Sequence, residues 1–281
     1  MKKPVAGTAG LPSLPSMAAL LEKVAEKRPL VQNITNFVAM DISANVLLAM
    51  GASPAMVSAI EEAAEFCGLA DALAVNIGTL SQASLDSMLV AARAAQVAGK
   101  PWVLDPVGAG ATAFRDKAVA ALLAHKPSII RGNASEIMAV ARIAGLGDTA
   151  ARPKGVDSAN TVAEAEALAI ALSRAQNCVV AATGAVDFVT DGKRHAHIGN
   201  GSQMMTFVTA LGCALSALTA AFATAGEDRF ATTCAALIAY GIAGEMAEEN
   251  SDGPGSFRMM FLDMLYRLDA EDFVMNADFS A

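Results

Sequence analysis

The chain has 281 residues, 54% of them apolar and 17% charged, which is long enough to bury a substantial core and too hydrophobic for a disordered polypeptide. Its formal net charge of −8, with no Lys/Arg cluster, gives nucleic acid no electrostatic footing, so a phosphate-bearing ligand needs local donors or a metal. Cys67, Cys178, Cys213 and Cys234 stand far apart with no CxxC pair, which suggests neither a zinc ribbon nor a disulfide framework and fits a reducing cytoplasm.

Residues 1–15 carry Lys2 and Lys3 but are broken by Pro4, Gly7, Gly10, Pro12 and Pro15, leaving no apolar run for a signal peptide. They are expected to form a flexible arm, with residues 16–281 a single domain. Ser16 is placed as the cap of a helix running to about Lys27 and stopped by Pro29. Asn33-Ile34-Thr35-Asn36 then forms a polar knot before a second helix, Phe37 to Met50, closed by Gly51. Ala52 to Met56 reads as short and extended, and Ser58 to Cys67 as a helix.

From Ala72 the rhythm is strand, loop, helix, strand. Strands are expected at Ala72–Asn76, Trp102–Asp105, Ser128–Ile130 and Val179–Ala182, with helices at Ser81–Val97, Phe114–Ala124 and Ala134–Ala144. Gly145–Asn160 reads as a long loop. Val186–Thr190 and Arg194–Ile198, joined through Asp191-Gly192, read as a hairpin with a primed turn. Helices close the chain near Arg229–Glu249 and Phe257–Leu268. His197–Gly226 holds no charged residue and is long enough to span a bilayer, but Gly199, Asn200, Gly201, Gln203 and Gly212 interrupt it. A helix packed against a sheet is expected there, and no membrane contact.

In an open parallel sheet, ligands bind beyond the carboxyl ends of the strands. Asn76 to Thr79, Asp105 to Gly110, Arg131 to Asn133 and Thr183-Gly184 all fall there. Asp105 can hold a metal, accept a proton or cap its own turn. Glu136 follows Asn133 by three residues, so a capping box competes with a metal role. Arg131 can reach a phosphate or stand in solvent. His195 and His197 alternate on one strand, with no neighbouring carboxylate or cysteine in sequence to complete a metal site. The threonine-rich segment Thr206–Thr209 leads through Gly212 into an alanine-rich helix whose first N–H groups lack acceptors, a natural anion site. Cys213 at that start feels the positive end of the helix dipole, which favours thiolate; it would serve equally as a small buried residue.

Several stretches taken together resemble the hydroxyethylthiazole kinase family of the ribokinase-like superfamily. They are Asn33–Asn36, Gly51–Pro54, Asn76–Leu80, Leu104–Thr112, Arg131–Glu136, Lys154–Asp157, Thr183-Gly184 and Gly253–Phe257, spread from Pro29 to Leu268. The resemblance implies an α/β ribokinase-like three-layer sandwich with a mostly parallel central sheet flanked by helices. It also implies ATP-dependent phosphorylation of a hydroxyethyl thiazole in thiamine biosynthesis or salvage, with Mg2+ and a homotrimer. By position, Arg131 and Thr183 match ATP contacts, Met56, Asn36 and Ala210 the substrate site, Asp105 and Glu136 the metal network, and Cys213 the catalytic base. The family usually has Gly-Thr-Gly-Cys or Gly-Ala-Gly-Cys where this chain has Ala210-Leu211-Gly212-Cys213, and a histidine where it has Ser202. Two alternatives stand beside this: a kinase for another small alcohol such as hydroxymethylpyrimidine, whose relatives share the Gly-Thr-Gly-Cys junction, and a nucleotide-binding protein with little catalysis, left after loss of the glycine.

Overall fold

The computed structural model describes residues 10–147 and 159–281, and among these a single sheet contains β1 (Leu30–Ile34), β2 (Ser53–Ala55), β3 (Ala72–Asn76), β4 (Trp102–Asp105), β5 (Ile129–Asn133), β6 (Val179–Thr183), β7 (Asp187–Thr190), β8 (His195–Ile198) and β9 (Phe279–Ser280). The helices are α1 (Leu14–Lys27), α2 (Met40–Ala49), α3 (Ala63–Leu69), α4 (Gln82–Ala98), α5 (Ala113–Leu123), α6 (Ala134–Ile143), α7 (Ala159–Gln176), α8 (Leu211–Phe222), α9 (Arg229–Glu249), α10 (Pro254–Arg267) and α11 (Ala270–Asn276). The strand order is β2-β1-β3-β4-β5-β6-β7-β8-β9. Pairing is parallel from β2 to β6 and antiparallel from there to β9.

The strands are apolar on both sides because both faces are covered. On β3, Ala72 and Ala74 pack with α1, α2, α8, α9 and α10, while Leu73 and Val75 pack with α3 to α7. Ile129 and Ile130 of β5 divide the same way. This is the expected three-layer sandwich. The period of two along each strand also decides which layer each strand-end polar residue faces.

Several boundaries differ from the sequence reading, each for a local reason. Helix α1 starts at Leu14, because the Ser13 side chain accepts from Ser16 N, which places Ser16 inside the first turn. Helix α2 starts at Met40, because Asn36 Oδ1 takes the Val38 and Ala39 N–H groups in a turn before it. Helix α3 starts at Ala63, after a turn closed on Ala59 O. Strand β5 runs on to Asn133 because pairing with β6 continues through Asn133 opposite Thr183. The β7–β8 hairpin closes over four residues, Asp191 to Arg194, with Asp191 Oδ1 accepting from Lys193 N and Arg194 N, instead of over a two-residue turn. Residues 1–9, most of the expected 145–160 loop and the Lys154–Asp157 motif lie outside the described residues.

The uncharged stretch from His197 to Gly226 divides among β8, a 3-10 turn (Gln203–Phe207) and the 12-residue α8, which is too short to span a bilayer. Among the described residues, α9 alone is long and apolar enough to cross a membrane, and most of it is buried in the core. Two of its glycines let the 200–205 segment lie directly on it. A Cβ at Gly241 would sit 2.5 Å from Asn200 O, and one at Gly244 would sit 2.6 Å from Met205 Sδ. The same segment is tied to the chain end, where Asn200 Oδ1 accepts from Asp278 N at 2.7 Å.

Candidate active site

Asn76 and Asp105 end neighbouring parallel strands and stand directly opposite each other in register. Strand alternation turns both side chains toward α8. There Asn76 Nδ2 donates to Asp105 Oδ2 at 2.7 Å, and Ser216 Oγ of α8 donates to the same oxygen at 2.8 Å. Asp105 Oδ1 is buried with no partner. Arg131 Nη1 stands 4.0 Å from Oδ2, too far to offset the burial. Burial therefore pushes the Asp105 carboxyl up to about 6, against the pull of Arg131 and with a further push from Glu136.

Helix α8 begins at an unusual residue. Ala210 caps it in the left-handed region, with φ 66° and ψ 9°. A methyl-bearing residue there costs about 1–2 kcal/mol. The first main-chain bond at this end runs from Ala214 N to Ala210 O at 3.0 Å, and the N–H groups of the turn before it point out of the helix start. Cys213 and Ser216 lie three residues apart, so they share the face turned to the strand ends. Asn36 Nδ2 reaches Cys213 Sγ at 3.3 Å. The thiol is not acidified as its place at a helix start suggested: burial pushes it above its ordinary value, and the Asp105 carboxylate adds to this. Leu211 is buried at 3% exposure in the core, and its carbonyl accepts from Tyr240 Oη at 2.7 Å.

A cavity of about 720 Å3 opens beside this helix start and is lined by Arg131, Thr183, Asp187, Ser202, Gly212 and Tyr240 among others. Arg131 Nη2 donates to Thr183 Oγ1 at 2.6 Å and Nη1 to Gly212 O at 2.9 Å, which joins β5, β6 and α8. A Cβ on Gly212 would meet Nη1 at 3.1 Å, so the glycine lets the guanidinium lie against the helix. Glu136 does form the capping box, accepting from Asn133 N at 2.9 Å. Its other oxygen accepts from Gly108 N at 2.9 Å, so it also ties down the loop after β4. Met56, after β2, does not line the cavity. His197 pairs with Glu166 at 3.0 Å. Among the described residues, no three His, Cys, Asp or Glu side chains are grouped to hold a metal.

Three contributors carry no obvious sequence signal of their own. Ser216 lies within an alanine-rich helix, and only its i+3 spacing from Cys213 points to the site. Asp187 reads as a hairpin residue, yet it lines the cavity and burial pushes it up to about 6. Arg115 of α5 donates to Ile77 O, Val107 O and Gly78 O at 2.5–2.7 Å and so fastens the loops after β3 and β4 together.

Two outcomes follow for variants of this site. Ala210→Gly removes the left-handed strain and raises stability by up to about 1 kcal/mol after the extra backbone entropy of glycine. Leu211→Thr empties apolar volume from the core and lowers stability by about 1–3 kcal/mol; denaturant titration of both variants should give opposite signs. The Asp105 carboxyl binds its proton more tightly when folded than when unfolded, so its contribution is complete below about pH 4 and is lost as pH rises through about 6. In ligand-free protein, the melting temperature of Asp105→Asn relative to the parent should therefore climb across that window. A difference independent of pH would refute the assignment.

Residues 21–271 match the profile of the hydroxyethylthiazole kinase family. The hydroxyethylthiazole kinase of Rhizobium leguminosarum bv. trifolii is 58% identical over 264 residues, 94% of this chain and 97% of that protein. That of Cereibacter sphaeroides is 52% identical over 94% of this chain and 98% of its own length. Among solved structures, the hydroxyethylthiazole kinase protein of Pyrococcus horikoshii superposes with a TM-score of 0.86 at 42% identity, covering 94% of this chain and 98% of that one. The pyridoxal kinase of Staphylococcus aureus, with TM-score 0.56 at 14% identity over 78% of this chain and 88% of its own, shares the ribokinase-like fold. A profile match over most of the chain and relatives more than half identical over nearly their whole length place the chain in the hydroxyethylthiazole kinase family of alcohol-acceptor phosphotransferases.

Proposed function

We propose that the protein uses ATP to phosphorylate the side-chain hydroxyl of 4-methyl-5-(2-hydroxyethyl)thiazole, in thiamine biosynthesis or salvage. The observation that supports it most is the meeting, at one helix start, of a cavity of about 720 Å3 carrying Arg131 and Thr183 with the Cys213 and Asp105 cluster. Arg131 and Thr183 bind the nucleotide phosphates. The unpaired N–H groups of α8 stabilise charge on the transferring phosphoryl group, and Cys213 receives the alcohol proton. Asn36, Met56 and Ala210, none of which lines that cavity, are assigned to the thiazole side by their match to the family.

Asp105 and Glu136 suit a magnesium ion that arrives with the nucleotide. Asp105 keeps one buried oxygen without a partner, and Glu136 is close enough to push the Asp105 carboxyl up. Magnesium commonly uses one or two protein carboxylates and fills its remaining positions with phosphate oxygens and water. When bound it neutralises charge on the phosphates.

A cytoplasmic homotrimer with sites shared between subunits completes the reading. Its support is the exposed apolar set Phe37, Val38 and Leu48 around α2, with Met259 on α10, which packs on α2. Light scattering on a sizing column should give three times the chain mass; an active monomer would remove the shared-site model. For the activity, ADP release across a panel of alcohols should give a higher kcat/KM for the thiazole alcohol than for hydroxymethylpyrimidine. Faster turnover of the pyrimidine would make this a different small-alcohol kinase, and no turnover of any alcohol would leave a nucleotide-binding protein.

A further inference from the structure

The side chain of Asn36 is committed at every polar atom. Its Oδ1 accepts from Val38 N at 3.1 Å and Ala39 N at 3.0 Å. Main-chain N–H groups can only donate, so the atom facing them is the oxygen and the amide orientation is fixed. The amide nitrogen on the other side then has two hydrogens to place. They go to Asn76 Oδ1 at 2.8 Å and to Cys213 Sγ at 3.3 Å. Whatever contact Asn36 makes with a thiazole ring, its hydrogen-bonding atoms are already in use.

The neighbours preserve this arrangement. Asn76 Oδ1 also accepts from Gly78 N at 2.9 Å, and Asn76 Nδ2 donates to Asp105, so the acceptor that aims the Asn36 amide is itself held from both sides. Gly78 is small for the same reason. A Cβ there would lie 2.6 Å from Asn36 Nδ2 and 2.8 Å from its Cγ, so glycine gives the amide room to lie across the end of β3. Asn36 itself is buried, at 5% exposure.

We propose that Asn36 is the positioning residue of Cys213, its amide N–H donating to the sulfur so that thiolate is favoured and Sγ is held toward the α8 start. The sulfur is thereby an acceptor on its Asn36 side, and a thiol proton has to point elsewhere. A donor to the charged form opposes the two influences that push this thiol up, burial and the Asp105 carboxylate. The effect on rate rests on the kinase reading; the chemistry of the thiol does not.

Alkylation by iodoacetamide of the ligand-free protein, followed by peptide mass spectrometry as a function of pH, reads the thiolate directly. Cys67, Cys178 and Cys234 are buried and Cys213 is partly exposed, so the reporter is site-selective, with Cys213→Ser as the blank. In Asn36→Ser the shorter hydroxyl can still accept from the turn N–H groups but no longer reaches the sulfur. Its alkylation at a fixed pH below the thiol midpoint should be slower by roughly ten- to a hundredfold, the range for a hydrogen bond to a charged group. kcat should fall with it while the KM for ATP stays near the parent value.

Gly78→Ala, which displaces the amide without touching the sulfur, should slow alkylation in the same direction. A profile coincident with the parent's in either folded variant overturns the proposal. Should neither variant fold, the parent decides: the Asn36 side-chain NH2 resonances should follow the thiol titration and stay fixed in Cys213→Ser, and resonances unmoved in the parent overturn it. If the parent phosphorylates no alcohol, the kinase reading fails, and the alkylation profiles still test the role of Asn36.

Discussion

A carboxylate buried at the end of a central strand governs the arrangement around it. Asp105 is 1% exposed, and an isolated charge at such depth carries a large desolvation penalty. The fold answers with two donors on one oxygen, Asn76 from the next strand and Ser216 from α8, and leaves the other oxygen buried without a partner. The Asn76 bond holds the carboxylate within the sheet, and the Ser216 bond ties α8 to it. The helix start in turn fixes Cys213, the outward-facing N–H groups and the seat of Arg131 on Gly212 O. The carboxyl, pushed up to about 6, is a strained element of the ligand-free protein, and a cation reaching its unpartnered oxygen would relieve that strain.

Stability has been conceded at the helix start as well. Ala210 at φ 66° carries strain that glycine would not. The position is held because Leu211, next to it, is buried among core residues and its carbonyl accepts from Tyr240. Packing behind the helix start thus supports a conformation that the cap residue disfavours. Such strain is tolerated where the surrounding structure over-determines the backbone.

Much of this was legible in the sequence, because the period-two and βαβ patterns that place strands also place their polar ends. Asp105, Asn76, Arg131 and Thr183 could be set at one edge of the sheet from pattern alone, and the structure brings them together. The departure at Ala210 from the family's usual glycine was visible in the sequence; that this residue is left-handed, at φ 66°, is seen only in the structure. What pattern does not contain is the set of distances between elements remote in sequence. Ser216 and Asp105 are 111 residues apart, and nothing local marks the serine. The same limit explains Cys213: a helix start alone argues for an acidified thiol, whereas burial and a carboxylate in the neighbouring layer argue the other way and prevail. Helix starts were misplaced where a side chain from outside the helix, such as Ser13 or Asn36, took the first N–H groups.

On the proposed function, Asp105, held by Asn76 and Ser216, is the group on which phosphoryl transfer at the α8 start depends. The most direct measurement is the steady-state kinetics of Asp105→Asn with the thiazole alcohol at saturating ATP and magnesium. The account predicts a kcat lower by about a hundred- to a thousandfold, the loss typical of removing one preorganised electrostatic group, in a protein that melts at least as high as the parent at neutral pH. A turnover within a few-fold of the parent would contradict it.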